Sequence, residues 1–413
     1  MTRGAGRAPQ GVIGQWRWPA LAMFAVGYGA NHFVPLLAVY RRTLALSDAD
    51  ATAIFGVYAL GLIPGFLIGG PTSDRHGRRR IMLSFTALSL LATAVLMTGH
   101  TGTASLYAGR LLTGVVSGTV FTVGTAWVKE LSGGSPGVAA RRAALALTAG
   151  FAVGPLVAGI LAQWAPLPTV LPYVLHLVLG GTALVLLPRA AETRLPSAPG
   201  ARGRLRLLPA SARAVRFQRV VAPTAPFVFG SVSLAFTTVP AHATLLPRTT
   251  AIAFTGALAA AALGAGLAGQ RWGRRLQASV SDPDDVRPAA VGLSVVAGGY
   301  LATALATAQP TLATGIPAAL LLGYGYGICL VVGLREVERL AAPEELGALV
   351  AVYYSLTYLG LAIPYALALA APHVGYPSAL LLVAAVTGLI AVAVLITGRR
   401  QPEARADESG GSS

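Results

Sequence analysis

The residues of this chain that could do chemistry are few, and they stand in unusual places. From Gly69 to Leu83 the sequence reads GGPTSDRHGRRRIML, crowding Arg75, Arg78, Arg79 and Arg80 around one carboxylate, Asp74, between long apolar runs. Such a knot does one of two things. It anchors a loop on the charged side of a bilayer, or it forms ion pairs that hold helices in one arrangement. Another cation, Arg110, lies inside the apolar stretch SLYAGRLLTGVVSG, where inserting a guanidinium costs at least roughly 2.5 kcal/mol. It either faces an internal cavity or snorkels to a nearby interface. His32, His176 and His242 also lie in apolar runs, and imidazole is the side chain suited to gaining and losing protons near neutral pH. Each is a proton carrier or a packing residue. His176 reads as the more peripheral of the three. The 15 acidic residues fall in loops or at segment ends, so no carboxylate stands in the middle of an apolar run.

What positions these residues is a membrane. The chain of 413 residues is 54% hydrophobic and 11% charged, far below the charge of a soluble domain. Walking it with the length of a membrane helix gives about twelve segments, beginning near Trp18, Thr52, Ile81, Ser105, Val138, Thr169, Ala222, Thr250, Pro288, Thr311, Gly347 and Tyr376. The basic N-terminus leads into an apolar stretch without a convincing cleavage site, which predicts a retained first span. The net charge of +16 comes from arginine clusters between apolar runs. They form no basic stripe with stacking aromatics, which argues against a nucleic-acid partner. They fall in every second loop, whereas HTGTA, WAPLP, TAQPT and PHVGYP carry no charged residue. Only Arg41, Arg42 and Arg248 break the alternation, so both termini are expected in the cytoplasm. The domain reading is a cytoplasmic N-terminus (1–17), a six-helix bundle (18–188), a linker (189–221), a second six-helix bundle (222–397) and a cytoplasmic tail (398–413). Cys329, the lone cysteine, reads as a packing residue.

The first basic knot is repeated. Gly266, Gln270, Arg271, Gly273, Arg274 and Arg275 in GLAGQRWGRR keep the spacing of Gly70, Asp74, Arg75, Gly77, Arg78 and Arg79, and the reading places both between equivalent helices of the two halves. An internal repeat of this kind is a plan of secondary transporters. At this point the chain resembles the major facilitator superfamily over almost its whole length. GPTSDRHGRR matches the loop motif Gly-x-Leu-x-Asp-Arg-x-Gly-Arg-Arg/Lys, with Thr72 in the leucine position. GRLLTGVVSG resembles the fourth-helix pattern through Arg110, Gly114 and Gly118. GFAVGPLVAG resembles the fifth-helix antiporter pattern through Gly150, Gly154, Pro155 and Gly159, with Ala158 replacing one glycine.

The resemblance implies an all-α fold of twelve transmembrane helices in two pseudo-symmetric six-helix bundles. It also implies a conformational latch. Gly77 would make the tight turn and Asp74 would face the positive N-terminal end of helix 11 near Gly347. Arg78 would pair with Glu130 and, in the second half, Arg274 with Glu336. Gln270 cannot supply the charge of Asp74, so the latch is expected to be asymmetric. Arg110 is expected to face the central path, with Gly114 and Gly118 opening space below it. Helices that line that path would offer Tyr28, Asn31 and His32 from helix 1, and Ser231, Phe236, Thr238 and His242 from helix 7. Tyr324 and Tyr326 come from helix 10. Helix 11 adds Tyr354, Tyr358 and Tyr365, whose spacings of four and eleven residues are close to whole turns. These tyrosines equally suit interfacial belts and core packing.

The reading is therefore a secondary active transporter of the plasma membrane, a monomer exporting a small organic compound in exchange for protons by alternating access. The absence of a mid-span acid keeps a facilitator or symporter for a polar metabolite open. A non-transporting sensor or scaffold comes third. No nucleophile motif or metal-ligand spacing is present, so neither an enzyme nor a cofactor is expected.

Overall fold

The computed structural model describes residues 14–133, 136–194, 208–242, 249–282 and 284–398. Among them are twelve helices long and apolar enough to cross a membrane: α1 (Arg17–Thr43), α2 (Asp48–His76), α3 (Arg78–Thr101), α4 (Thr103–Ser132), α5 (Gly137–Trp164), α6 (Leu171–Arg189), α7 (Phe217–His242), α8 (Ala251–Ala278), α9 (Arg287–Ala308), α10 (Leu312–Leu340), α11 (Leu346–Val374) and α12 (Tyr376–Thr397). No strand is found among the described residues. Residues 1–13 and 399–413 of the expected ends, 195–207 of the expected linker, and Arg248 lie outside the described residues.

Local chemistry sets the helix boundaries. Ser47 starts α2 with a capping box, its Oγ accepting from the Asp50 N–H at 3.1 Å while the Asp50 carboxylate accepts from the Ser47 N–H at 3.1 Å. Thr311 and Thr314 do the same for α10. These bonds satisfy donors that a helix start leaves without intrahelical partners. Gly77 separates α2 from α3 at φ +91°, a backbone region that glycine enters without a Cβ penalty. The expected tight turn is there.

Three spans are interrupted, each with a proline three residues after an interruption. The helical pattern of α1 breaks at His32, before Pro35; that of α7 at Thr237, before Pro240, in addition to a break at Ala225 directly before Pro226; and that of α11 at Gly360 and Leu361, before Pro364. Proline has no N–H to give the carbonyl four residues back. In α11 the Gly360 carbonyl instead accepts from the Ile363 N–H at 2.9 Å. Backbone irregularity at membrane depth is tolerated only where protein or a water-lined cavity satisfies the freed groups.

The chain divides into two compact units. One comprises Met1–Leu205 with Arg248–Ala260; the other comprises Arg206–Pro247 with Ala261–Ser413. The division passes through α8. In the first unit α2 and α4 pack with almost no gap: Cβ atoms added at Gly61, Gly65, Gly114 and Gly118 would lie 2.1–2.6 Å from carbonyl oxygens of the facing helix. The second unit repeats the device between α8 and α10, through Gly269, Gly323 and Gly327. Small residues let helix backbones approach where lipid supplies no hydrophobic drive for association. The spans α1, α4, α7 and α10 are the most buried. Residues such as Val178 and Val185 of α6 and Leu382 and Leu389 of α12 are exposed, presenting apolar surface suited to lipid.

Candidate functional site

The first unit encloses a polar cluster among α1, α2, α3, α4 and α6. Arg110, 1% exposed, donates from Nη1 to the Ala30 carbonyl at 3.0 Å and from Nη2 to the Phe55 carbonyl at 3.2 Å. The rings of Tyr58, Phe33 and Phe55 surround its guanidinium carbon at 4.6, 4.9 and 5.6 Å. A planar cation suits both jobs, since its fork reaches two carbonyls while its faces meet aromatic quadrupoles. Arg110 is enclosed by carbonyls and rings of its own unit. It does not snorkel: three aromatic rings and two carbonyls hold it inside the unit, although its Nε makes no hydrogen bond among the described residues. Gly114 and Gly118 do not open space below it either, since the α2 backbone fills that space.

Beside Arg110 lie four rings. His32 is stacked with Tyr28 at 5.7 Å, meets the edge of Tyr173 at 4.9 Å and lies 5.5 Å from His176. Tyr28 and His176 stack at 6.2 Å. His176 is therefore not peripheral: it is buried and its Nδ1 is 2.7 Å from Thr93 Oγ1. Its ring lies flat against α1, where a Cβ at Gly29 would come within 2.5 Å of Nε2. Asn31 donates to the Phe151 carbonyl at 3.3 Å, tying the interruption of α1 to α5. The fifth-helix motif supports the same region. Gly150 and Gly154 seat on the α1 backbone at Phe24 and Tyr28, and Pro155 and Gly159 meet Gly256 at the start of α8. Gln163 caps that start, its Oε1 accepting from the Ile252 N–H at 2.8 Å.

At the α2–α3 turn the charge knot is organised. Arg78, nearly buried, reaches Asp74 at 2.8 Å and Glu130 at 3.1 Å, and also donates to Ser73 Oγ. Glu192, which the sequence did not single out, accepts from the N–H groups of Arg78 and Arg79 at 2.9 Å each. It thereby caps α3, placing a carboxylate at the positive end of the helix. Thr193 bonds Glu130, and Arg194 lies 3.5 Å from Asp74. A segment expected to be linker therefore seals the knot.

The second unit departs from its copy of the motif. Helix α8 continues to Ala278, so Gly273 lies within it and makes no turn, packing instead against Val331 and Ile328. Gln270 and Arg271 sit on the same continuous helix. Arg274 is exposed, and Glu336 pairs instead with Arg216 at 2.7 Å and Arg339 at 3.1 Å. Arg216 is buried just ahead of α7 and Arg339 also reaches Asp284 at 2.7 Å. The acidic partners of this network lie beyond Gly273, which is why motif spacing did not find it. Near it a cavity of about 240 Å³ is lined by Arg216, Gln277, Asp285 and Arg335, among others.

The expected aromatic group divides. Tyr326 and Tyr358 are brought together by Phe229, at 5.3 and 4.0 Å, a residue that the sequence reading passed over. Its signal was its place in the interrupted span, one turn below Ser233. Phe236 and Thr238 flank the interruption of α7 and are buried, as is Ser231, whose Oγ bonds the Val228 carbonyl. Tyr324 faces Trp272 and Tyr354 sits against Tyr353. Tyr365 points outward at 38% exposure. His242 lies at the end of α7, with Nδ1 2.8 Å from the Thr238 carbonyl and its ring against Tyr376. No group of three or more His, Cys, Asp or Glu with metal-ligand geometry occurs among the described residues.

Comparison with known proteins agrees with this architecture. The profile of the Major Facilitator Superfamily matches residues 20–363. A probable nitrate/nitrite transporter NarK2 of Mycobacterium tuberculosis is 31% identical over 116 residues, 27% of this chain and 26% of that protein. A 3-(3-hydroxy-phenyl)propionate transporter of Escherichia coli is 37% identical over 95 residues, 22% and 23% of the two chains. A multidrug resistance protein MdtL of Klebsiella pneumoniae is 26% identical over 102 residues, 25% and 26% of the two chains. The matches thus span about a quarter of these relatives' lengths. A POT family transporter solved with 5-aminolevulinic acid superposes with a TM-score of 0.77 over 97% of this chain and 98% of its own, at 11% identity. That likeness is one of fold.

Proposed function

This chain belongs to the Major Facilitator Superfamily and is a multi-pass membrane transporter; we propose that it exports a small organic compound in exchange for protons by alternating access. The observation that carries this reading is the seat of the antiporter-like stretch. Gly150 and Gly154 lie on the backbone of α1 just before its interruption at His32, and Pro155 and Gly159 meet the start of α8. A change at the histidine-bearing turn would therefore be felt directly by the helix that carries the motif. In this reading both termini are cytoplasmic, the protein is a monomer of the plasma membrane, and the Asp74–Arg78–Glu130 knot is a latch that re-forms in each cycle. Asp74 meets Arg78 and Arg194 within its own unit, which supports a latch built first around the α2–α3 turn.

The substrate surface we assign to the second unit is aromatic, formed by Phe229, Tyr326 and Tyr358, with Phe236 and Thr238 further along α7 at its break. It suits a flat or ring-bearing compound with few charges. One observation favours the alternative of a facilitator: among the described residues, every Asp and Glu lies outside or near the end of a span. The test is transport by purified protein in liposomes, screening labelled ring-bearing compounds and small polar metabolites side by side by counterflow. Exchange of such a compound supports the reading. Exchange confined to small polar metabolites would replace it with the facilitator or symporter.

A further inference from the structure

Four polar atoms of the ring cluster make no hydrogen bond of ordinary geometry among the described residues: Tyr28 Oη, His32 Nδ1, His32 Nε2 and His176 Nε2; the backbone carbonyls of Tyr28 and Ala25 approach His32 and His176 only more loosely. Tyr28 and His32 are fully buried and His176 is 2% exposed. Buried polar groups in folded proteins are nearly always paired, and each such group left over calls for an explanation. One unpaired atom is unremarkable; four on three touching rings, at an interrupted membrane helix, are a site. We propose that His32 and His176 together hold one exchangeable proton, with Tyr28 as the hydroxyl that completes its hydrogen bonding. This rests on the proton-exchange reading above and names the group that would serve it.

The geometry assigns the parts. Thr93 Oγ1 fixes one face of His176 through Nδ1 at 2.7 Å, leaving Nε2 on the side of α1. Two imidazoles whose centres are 5.5 Å apart repel when both are charged, so the pair takes one proton, as interacting sites do. Every neighbouring helix contributes to the setting. Arg110 of α4 is the fixed charge, and Tyr173 of α6 meets the edge of His32. Tyr40 of α1 bonds Tyr173 at 3.0 Å. Tyr58 of α2 stands beyond Arg110 against its guanidinium. From α5 comes only the Phe151 carbonyl, held by Asn31. Among the described residues no carboxylate touches the pair, and the Arg110 guanidinium beside it carries a like charge, so the closed, dry site favours the neutral pair and the proton is held only while water reaches the rings from one side. His242 lies in the other unit, its ring against Tyr376.

The test needs no substrate. Full-length protein labelled with ¹⁵N-histidine is placed in nanodiscs, and the imidazole nitrogens are followed by NMR from pH 4.5 to 9, with His32→Gln and His176→Asn assigning the signals. The expected result is that both residues respond to pH, and that His176→Asn moves the His32 midpoint by about one pH unit or more. Thr93→Val, which keeps both imidazoles and the side-chain shape, should alter the His176 tautomer signal and leave the coupling. Two rings that stay neutral throughout, or that titrate independently, would overturn the proposal. Because the readout is protonation, it can fail while pH-driven transport succeeds, and the reverse.

Discussion

Arg110 is held by shape as much as by charge. Its two carbonyl bonds diverge to different helices, and its faces are covered by three rings. A lysine keeps the charge but cannot make both bonds from a planar fork. Arg110→Lys is expected to reduce transport at least about tenfold at equal membrane abundance, and Arg110→Ala to cost about 1–3 kcal/mol of stability by removing two buried charge-assisted hydrogen bonds to the Ala30 and Phe55 carbonyls. Uptake assays and thermal melts in detergent check the two effects; wild-type values for both variants would remove Arg110 from the account. At the α2–α3 turn, Gly77→Ala is strained both by φ +91° and by a Cβ 2.7 Å from the Glu192 carboxylate. Loss of the Glu192 cap should appear as a melting-temperature drop in both Gly77→Ala and Glu192→Ala, and an unchanged melt in either would contradict it. That Arg110 mattered was legible from one cation in an apolar run. That Glu192 and Arg216 matter was not, because both lie in a segment that composition marks only as linker, 114 and 120 residues from their partners Arg78 and Glu336.

Helix pairs explain what the small residues do. The sequence reading took Gly114 and Gly118 as making room for chemistry, whereas they make room for α2. Gly114→Ala is therefore expected to cost about 1–3 kcal/mol by overpacking, because its Cβ would lie 2.1 Å from the Tyr58 carbonyl. Gly264→Ala, with nothing within 4 Å, should be neutral. Equal stability of the two variants would sink the packing argument. The starts of the helices were legible because apolar length and charge punctuate a membrane chain strongly. The interruptions were not, although Pro35, Pro240 and Pro364 mark them, since proline inside a membrane helix is tolerated with or without a break. The second basic motif misled because spacing alone cannot distinguish Gly273 in a helix from Gly77 in a turn. Pro35→Ala, which gives the Asn31 carbonyl a donor, should slow amide exchange around His32 and lower turnover several-fold. Unchanged exchange there would mean that the interruption has another cause.

For the whole molecule, the fold follows from a chain that alternates apolar spans with arginine-bearing loops, and the family match over residues 20–363 says what such a fold is for. The proposed direction and driving force rest on fewer residues: the glycine–proline stretch of α5, the interrupted turn of α1 on which it seats, and the charge knot at the α2–α3 turn that we propose as a latch. The most direct test of proton-exchange export uses inside-out vesicles or liposomes of matching orientation, a counterflow-active compound at equal concentration on both sides, and an imposed pH gradient, acid inside. The account predicts that the compound accumulates inside, that collapse of the gradient by an ionophore abolishes accumulation, and that His32→Gln with His176→Asn leaves only equilibration. Equilibration without accumulation in the wild-type protein would contradict proton exchange and leave a facilitator.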